Sequence, residues 1–255
     1  MSGMALVLHQ FRFDQKVFWR NRAAVFFTAM LPLIFLFILA SVFKNAHISG
    51  LDVKGATYYV PAILTLAVIS ATTVKLATNL PAEREAGQLK RVRGTPLPPA
   101  VFIAGRVGNS LVISAIMVVL VSVIGALVYG VTIPTNTLPA MLVTLGVAAF
   151  SFSCLGFALA AVIPTEDAAP AVTNATVLPL YFLSGVFIPQ DELPSGVLSF
   201  ADVFPIRHFF EAMFTAWDPH TTGAGFEWGN LAVIAVWGVA GLLIAIRFFR
   251  WEPRR

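Results

Sequence analysis

Apolar residues gather in six long runs, about 23–43, 58–79, 107–130, 138–163, 171–188 and 229–246, separated by short polar connections. A helix needs about 20 mostly apolar residues to cross a hydrocarbon core of roughly 30 Å, so each run predicts a membrane-spanning helix. None alternates with the period of two that a strand of a membrane barrel requires. The fifth and sixth runs are the shortest, and Pro179 predicts a kink within the fifth. The pattern as a whole predicts an all-α polytopic membrane protein of six transmembrane helices, a single unit over 1–255.

Two patterns outside the runs predict further helices. Before the first run, His9, Arg12, Lys16 and Arg20 recur at spacings of three and four, with Val7, Phe11 and Phe18 on another face. This predicts an amphipathic interfacial helix lying on the inner leaflet, apolar side down and bases toward lipid phosphates. Between the last two runs, residues 189–228 carry Phe200, Phe204, Phe209, Phe210 and Phe214, and Pro205 divides two short helical patterns. Backbone reaches membrane depth only when it is helical or shielded by protein. Two short helices in the outer half of the membrane satisfy that condition, and so does a loop packed on the outer surface.

Composition agrees with a bilayer as solvent. Of 255 residues, 58% are hydrophobic and 12% charged, against about 25% charged in soluble domains; mean hydropathy is +0.82. Arg20 and Arg22 precede an apolar run that exceeds the roughly 7–15 residues of a cleavable signal, so the first run reads as an uncleaved anchor. The single cysteine, Cys154, lies in an apolar setting and reads as a packed thiol.

Charge gives the orientation. With the N-terminus inside, 14 Lys and Arg residues fall on the inner side and only Lys44, Lys54 and Arg207 on the outer. Positive loops stay cytoplasmic, which predicts that both termini are cytoplasmic. The net charge of +4 is then a topology signal and calls for no nucleic acid.

Chemistry of the chain's own is missing from the pattern. No Asp or Glu lies within the six runs, whereas ion-coupled transporters place carboxylates there. None of the five lysines follows a glycine, so the phosphate-binding G-K-[ST] is lacking. His9, His47, His208 and His220 show no zinc-ligand spacing, and no serine sits in G-x-S-x-G. Small residues four or three apart, Gly156 with Ala160 and Gly238 with Gly241, predict close helix packing. Asn174, Thr173 and Thr176 fit either a neighbouring helix or a translocation path.

The densest charge lies at 83–98, E-R-E-A-G-Q-L-K-R-V-R-G-T-P-L-P, between the second and third runs. Pro81 predicts a helix start, with Glu83 and Glu85 in its first turn and Lys90, Arg91 and Arg93 toward its end. Gly94, Thr95 and Pro96 predict its stop. This motif resembles the first cytoplasmic loop of type-2 ABC exporter permeases of the daunorubicin-resistance and nodulation-factor kinds. F-L-S-G-V-F-I-P at 182–189, followed by Leu193-Pro194 and Phe204-Pro205, resembles the family signature at the end of the fifth span. Together the two motifs and the run pattern extend the resemblance over nearly the whole chain.

The resemblance implies the permease subunit of an ATP-driven exporter in a bacterial plasma (inner) membrane. It would pair with a second permease copy or a sibling permease and dock two copies of a separate ABC ATPase. The chain itself would bind no cofactor and be no enzyme; ATP and Mg belong to the ATPase. The strip would be a coupling helix: Glu83, Arg84, Glu85, Gly87, Leu89, Thr95 and Pro96 match the motif, with Gln88, Lys90, Arg91 and Arg93 among them. Many members have Thr then Leu-Glu after the glycine, and Gln88-Leu89-Lys90 reverses one charge, which bears on which ATPase fits. Phe182, Ser184, Gly185, Pro189, Leu193, Pro194, Phe204, Pro205 and Arg207 would form a re-entrant outer gate. The expected substrate is hydrophobic or amphipathic: a drug, a lipid or a lipid-linked glycan. A gradient-driven transporter or channel would instead work without nucleotide, and a membrane scaffold would show no vectorial flux.

Overall fold

The computed structural model describes residues 3–43, 47–48, 53–95, 97–249 and 251–252. Ten helices carry the architecture: α1 (Gly3–Arg20), α2 (Arg22–Val42), α3 (Gly55–Glu85), α4 (Gln88–Arg93), α5 (Pro99–Tyr129), α6 (Leu138–Val162), α7 (Ala168–Leu183), α8 (Ser195–Ala201), α9 (Pro205–Trp217) and α10 (Trp228–Phe248). A short antiparallel pair, β1 (His47–Ile48) and β2 (Val53–Lys54), joins α2 to α3.

Five helices, α2, α3, α5, α6 and α10, are long and apolar enough to cross a membrane. The fifth run forms a shorter helix than expected: α7 has 16 residues and ends at Leu183 rather than 188. Pro179 lies inside it. Two other spans outrun their apolar cores. α3 continues from 79 to Glu85, and α5 begins at Pro99 rather than 107, with that proline at its first turn.

α3 is the central helix: 83% of its apolar window is buried, against 17% for α2 and 28% for α10. A helix that is apolar all round belongs in an interior, and Tyr58 to Ile69 line the largest core cluster with Phe152, Phe209, Phe210 and Met213. One turn of α3, Ser70–Val74, is a π-helix. Its Thr72 hydroxyl donates to the Val68 carbonyl (2.7 Å), and its Thr73 hydroxyl to that of Phe152 on α6 (2.7 Å). The first serves a carbonyl just before the wider turn, and the second ties that turn to α6.

Glycines allow the closest backbone approaches. A Cβ on Gly156 would lie 3.0 Å from the Thr73 Cα, so α6 meets α3 at the π-turn. On α10, a Cβ on Gly238 would lie 2.9 Å from the Ser151 Cα, and one on Gly241 3.0 Å from the Leu155 nitrogen. The small-residue positions are therefore helix contacts. Cys154 is buried on the same helix. Thr173 is buried, while Asn174 and Thr176 are exposed; the Thr176 hydroxyl donates to the Val172 carbonyl within α7.

Candidate functional site

The charged strip differs from its expected form. Pro81 does not start a helix; it lies inside α3, which runs on to Glu85. Glu83 and Glu85 therefore sit at a helix C-terminus, where the macrodipole disfavours acids, and tertiary partners hold them there. Glu83 Oε2 accepts a 2.6 Å bond from Arg106 on α5, and Glu85 Oε1 accepts one of 2.8 Å from the Glu166 backbone. After Glu85 the chain turns at Gly87, whose φ of 70° is left-handed and so favours glycine. α4 follows, and Gly94 closes it with its N–H on the Lys90 and Arg91 carbonyls. Thr95 donates to the Val92 carbonyl (2.6 Å). Pro96 lies outside the described residues.

The strip has two faces. Leu89 is buried against Leu76, Leu80, Phe102 and Phe157, which pins α4 beneath three spanning helices. Glu85, Gln88, Lys90, Arg91, Arg93 and Thr95 are exposed, with Arg93 within 3.8 Å of Glu252. Arg84 belongs to neither a docking face nor a loop. It is 2% exposed, and its guanidinium donates to the carbonyls of Ile163 (2.7 Å), Pro164 (3.0 Å) and Ala160 (3.4 Å). Those carbonyls end α6 and have no helical partner of their own, so Arg84 caps α6 from α3. Lysine has no planar fork to reach them together. Arg84→Lys should lower the melting temperature of the purified protein, at about 1.5–3 kcal/mol for each charge-assisted bond lost.

Beside the strip lies an ion cluster that apolar run counting overlooks. Arg106 bridges Glu83 (2.6 Å) and Asp14 (3.6 Å), and Gln10 donates to Asp14 (3.1 Å). Asp14 is an acid on the apolar face of α1, between Phe11 and Phe18, and that misfit was the signal available for it. Arg106 read only as a topology charge because the third span was begun one residue after it. Burial raises the Asp14 carboxyl above its ordinary value of 3.8, despite the opposing Arg106. The folded protein thus holds this proton more tightly than the unfolded chain. Asp14's contribution to stability falls as pH rises from about 3.8 through the raised value, then levels. Asp14→Asn should flatten that part of a melting temperature–pH curve.

The interfacial helix keeps its basic stripe and changes its apolar partner. His9, Arg12, Lys16 and Arg20 are exposed. The opposite face rests on protein rather than lipid: Phe11 lies against Gly108 of α5, at 3.4 Å from a Cβ built there, and Phe18 joins a core cluster with Ile113 and Met117. Met4, Leu8, Phe13 and Val17 remain exposed.

The outer motif comes together around two tyrosines. Tyr58 donates to the Gly185 carbonyl (2.6 Å) and Tyr59 to that of Phe187 (3.4 Å). Gly185 has φ +86° and sits where a Cβ would come within 3.0 Å of the Phe210 ring, so glycine is required twice over. Ser184 and Pro189 are buried, Phe182 and Pro194 exposed, and Leu193 between. Two short helices do follow, α8 and α9, with Phe204 before Pro205 at the α9 N-terminus. Arg207 ties them: it donates to the Leu198 carbonyl (2.8 Å) and pairs with Asp202 (3.1 Å) and Glu211 (2.8 Å). α9 buries Phe209, Phe210, Met213 and Trp217 against α3, α6 and α10.

A model of the ABC-2 type transporter family matches residues 6–216, which take in most of α1, the strip and the motif at 182–207. The chain belongs to this family. It is similar to the putative transport permease YvfS of Bacillus subtilis (strain 168), 21% identical over 233 residues, 91% of this chain and 92% of the relative. The daunorubicin resistance ABC transporter permease DrrB1 of Streptomyces coeruleorubidus is 26% identical over 182 residues, 70% of this chain and 63% of the relative. The probable multidrug ABC transporter permease YbhR of Escherichia coli (strain K12) is 22% identical over 168 residues, 66% and 45%. The ABC-2 chain is thus the membrane permease component of a transporter, in a family of transmembrane subunits that are typically non-catalytic.

Proposed function

We propose that this permease is the membrane subunit of an ATP-driven exporter, and that the exposed face of α4 is the handle by which a separate ATPase moves it. One observation carries the reading. α4 presents Gln88, Lys90, Arg91 and Arg93 outward, with exposed Glu85 beside it at the end of α3, while buried Leu89 locks it to the inner ends of α3, α5 and α6. A push on the charged face is therefore delivered to helices that cross the membrane. Glu83, Arg84 and Leu89 serve the handle from inside rather than touching the ATPase.

In this reading α7 completes six spans, both termini are cytoplasmic, and α8 and α9 rest in the outer half of the membrane near the exit. The permease works as a pair, with itself or a sibling, over two ATPase copies in a bacterial plasma membrane. ATP and Mg are held by the ATPase. A hydrophobic or amphipathic cargo is favoured by the mostly apolar helix surfaces, and the names of the daunorubicin-resistance and multidrug relatives agree with it.

The test is charge reversal at exposed positions. Lys90→Glu with Arg91→Glu should cut ATPase co-purification and flux while leaving membrane insertion and melting temperature unchanged. Undiminished flux in that variant would refute the handle. Glu83 is unsuited to such a test, because reversing it would break the Arg106 pair.

A further inference from the structure

Between α1, α2, α3 and α5 a cleft of about 350 Å³ opens beside the ion cluster. Its lining is divided: Asp14, Lys75, Glu83, Arg106 and Asn109 on the polar side, Phe27 and Leu31 of α2 on the apolar side. Not every polar group there makes a hydrogen bond. Arg106 is taken by Asp14 and Glu83, whereas the buried Lys75 Nζ has no hydrogen-bond partner and rests over the Phe18 ring at 4.4 Å. Asn109, 3% exposed, also has an unpartnered amide oxygen, and an amide flip would turn a donor into its place. Asp14 and Glu83 balance Arg106 and Lys75 in charge, yet the ammonium donates to neither acid, so its donors are open to a further acceptor.

Position identifies the source of that acceptor. Lys75 lies about 30 Å along α3 from Gly55, close to the roughly 30 Å thickness of a hydrocarbon core, and so at headgroup level. Phe27 and Leu31 are 66% and 50% exposed, which places an open apolar surface next to the ammonium. An inorganic anion would use only half of such a cleft. We infer that the cleft binds a phospholipid of the adjoining leaflet, its phosphate on Lys75 and Asn109 and one acyl chain along Phe27 and Leu31. The four-carbon stem of Lys75 lets its ammonium swing from the Phe18 ring to the phosphate. The lipid then joins α1 and α2 to the bundle. This site goes beyond ATPase coupling and stands without it.

The experiment uses the full-length protein in detergent, stripped of lipid, with melting followed by tryptophan fluorescence and bound lipid counted by native mass spectrometry. Phosphatidylglycerol should raise the melting temperature; diacylglycerol of the same chains and inorganic phosphate should not. Lys75→Met removes the open donor and leaves the Arg106 pairs with Asp14 and Glu83 in place. It should lose the phosphatidylglycerol shift and bind that lipid at least about tenfold more weakly. Leu31→Trp, which keeps every charge and fills the apolar half, should weaken retention as well, and gives an answer should Lys75→Met fail to fold. An equal shift in both variants would overturn the site. A full shift with inorganic phosphate alone, or with diacylglycerol alone, would overturn the phospholipid.

Discussion

Arg106→Ala should melt far below the parent protein and give little monodisperse material after detergent extraction. Arg106 is the shared cation of two carboxylates on different helices, Asp14 of α1 and Glu83 of α3. Breaking a buried pair by removing one partner costs about 3–5 kcal/mol, because the other charge stays uncompensated. Here two are left with Lys75 as the one cation still near them, and Asp14 is 3% exposed. Asp14→Asn with Glu83→Gln should therefore restore much of the loss in the Arg106→Ala background. Restoration should stop short of complete, since Arg106 also lies over the Phe102 ring at 5.2 Å, and that packing is gone. Unchanged melting in the single variant would show that α1 is held by its apolar face alone.

Gly238→Leu should separate α6 from α10 and abolish recovery of folded protein. These helices share the most extensive contact in the bundle, and at Gly238 even a methyl would collide with Ser151, within 2.9 Å of its Cα. Overpacking a core costs about 1–3 kcal/mol where side chains can adjust; backbone at this distance cannot, so the helices must part. Gly238→Ala should be milder and partly rescued by Ser151→Gly, because the Ser151 side chain takes the first collision. Folding yield and melting temperature measure both, and a normally folded Gly238→Leu protein would contradict the close approach.

The run pattern made the spans legible because hydropathy alone decides them: α2, α6 and α10 begin and end within two residues of their apolar runs. Pro205 and the phenylalanines likewise disclosed α8 and α9, since a proline after a non-helical residue is a strong local boundary. Legibility ended where polar residues find partners far along the chain. α3 keeps its helix through Pro81 because Glu83 reaches Arg106, Arg84 reaches 160–164 and Glu85 reaches Glu166. No local rule contains those contacts, and the dipole rule argued the other way. The same blindness divided the strip wrongly: seven motif residues looked alike in sequence, yet Arg84 and Leu89 face inward. Asp14 was visible as a misfit on an apolar stripe, but its meaning needed Arg106, 92 positions away.

The handle is tested most directly by proximity in the working membrane. Arg91→Cys gives an exposed attachment point, while the native Cys154 is 1% exposed and stays silent. A maleimide photo-crosslinker at position 91 should capture a soluble subunit carrying G-x-x-x-x-G-K-[ST], and Lys90→Glu should weaken that capture. Crosslinking of such a subunit from Val203→Cys on the outer segment, or its absence at position 91 in membranes that export, would contradict the account.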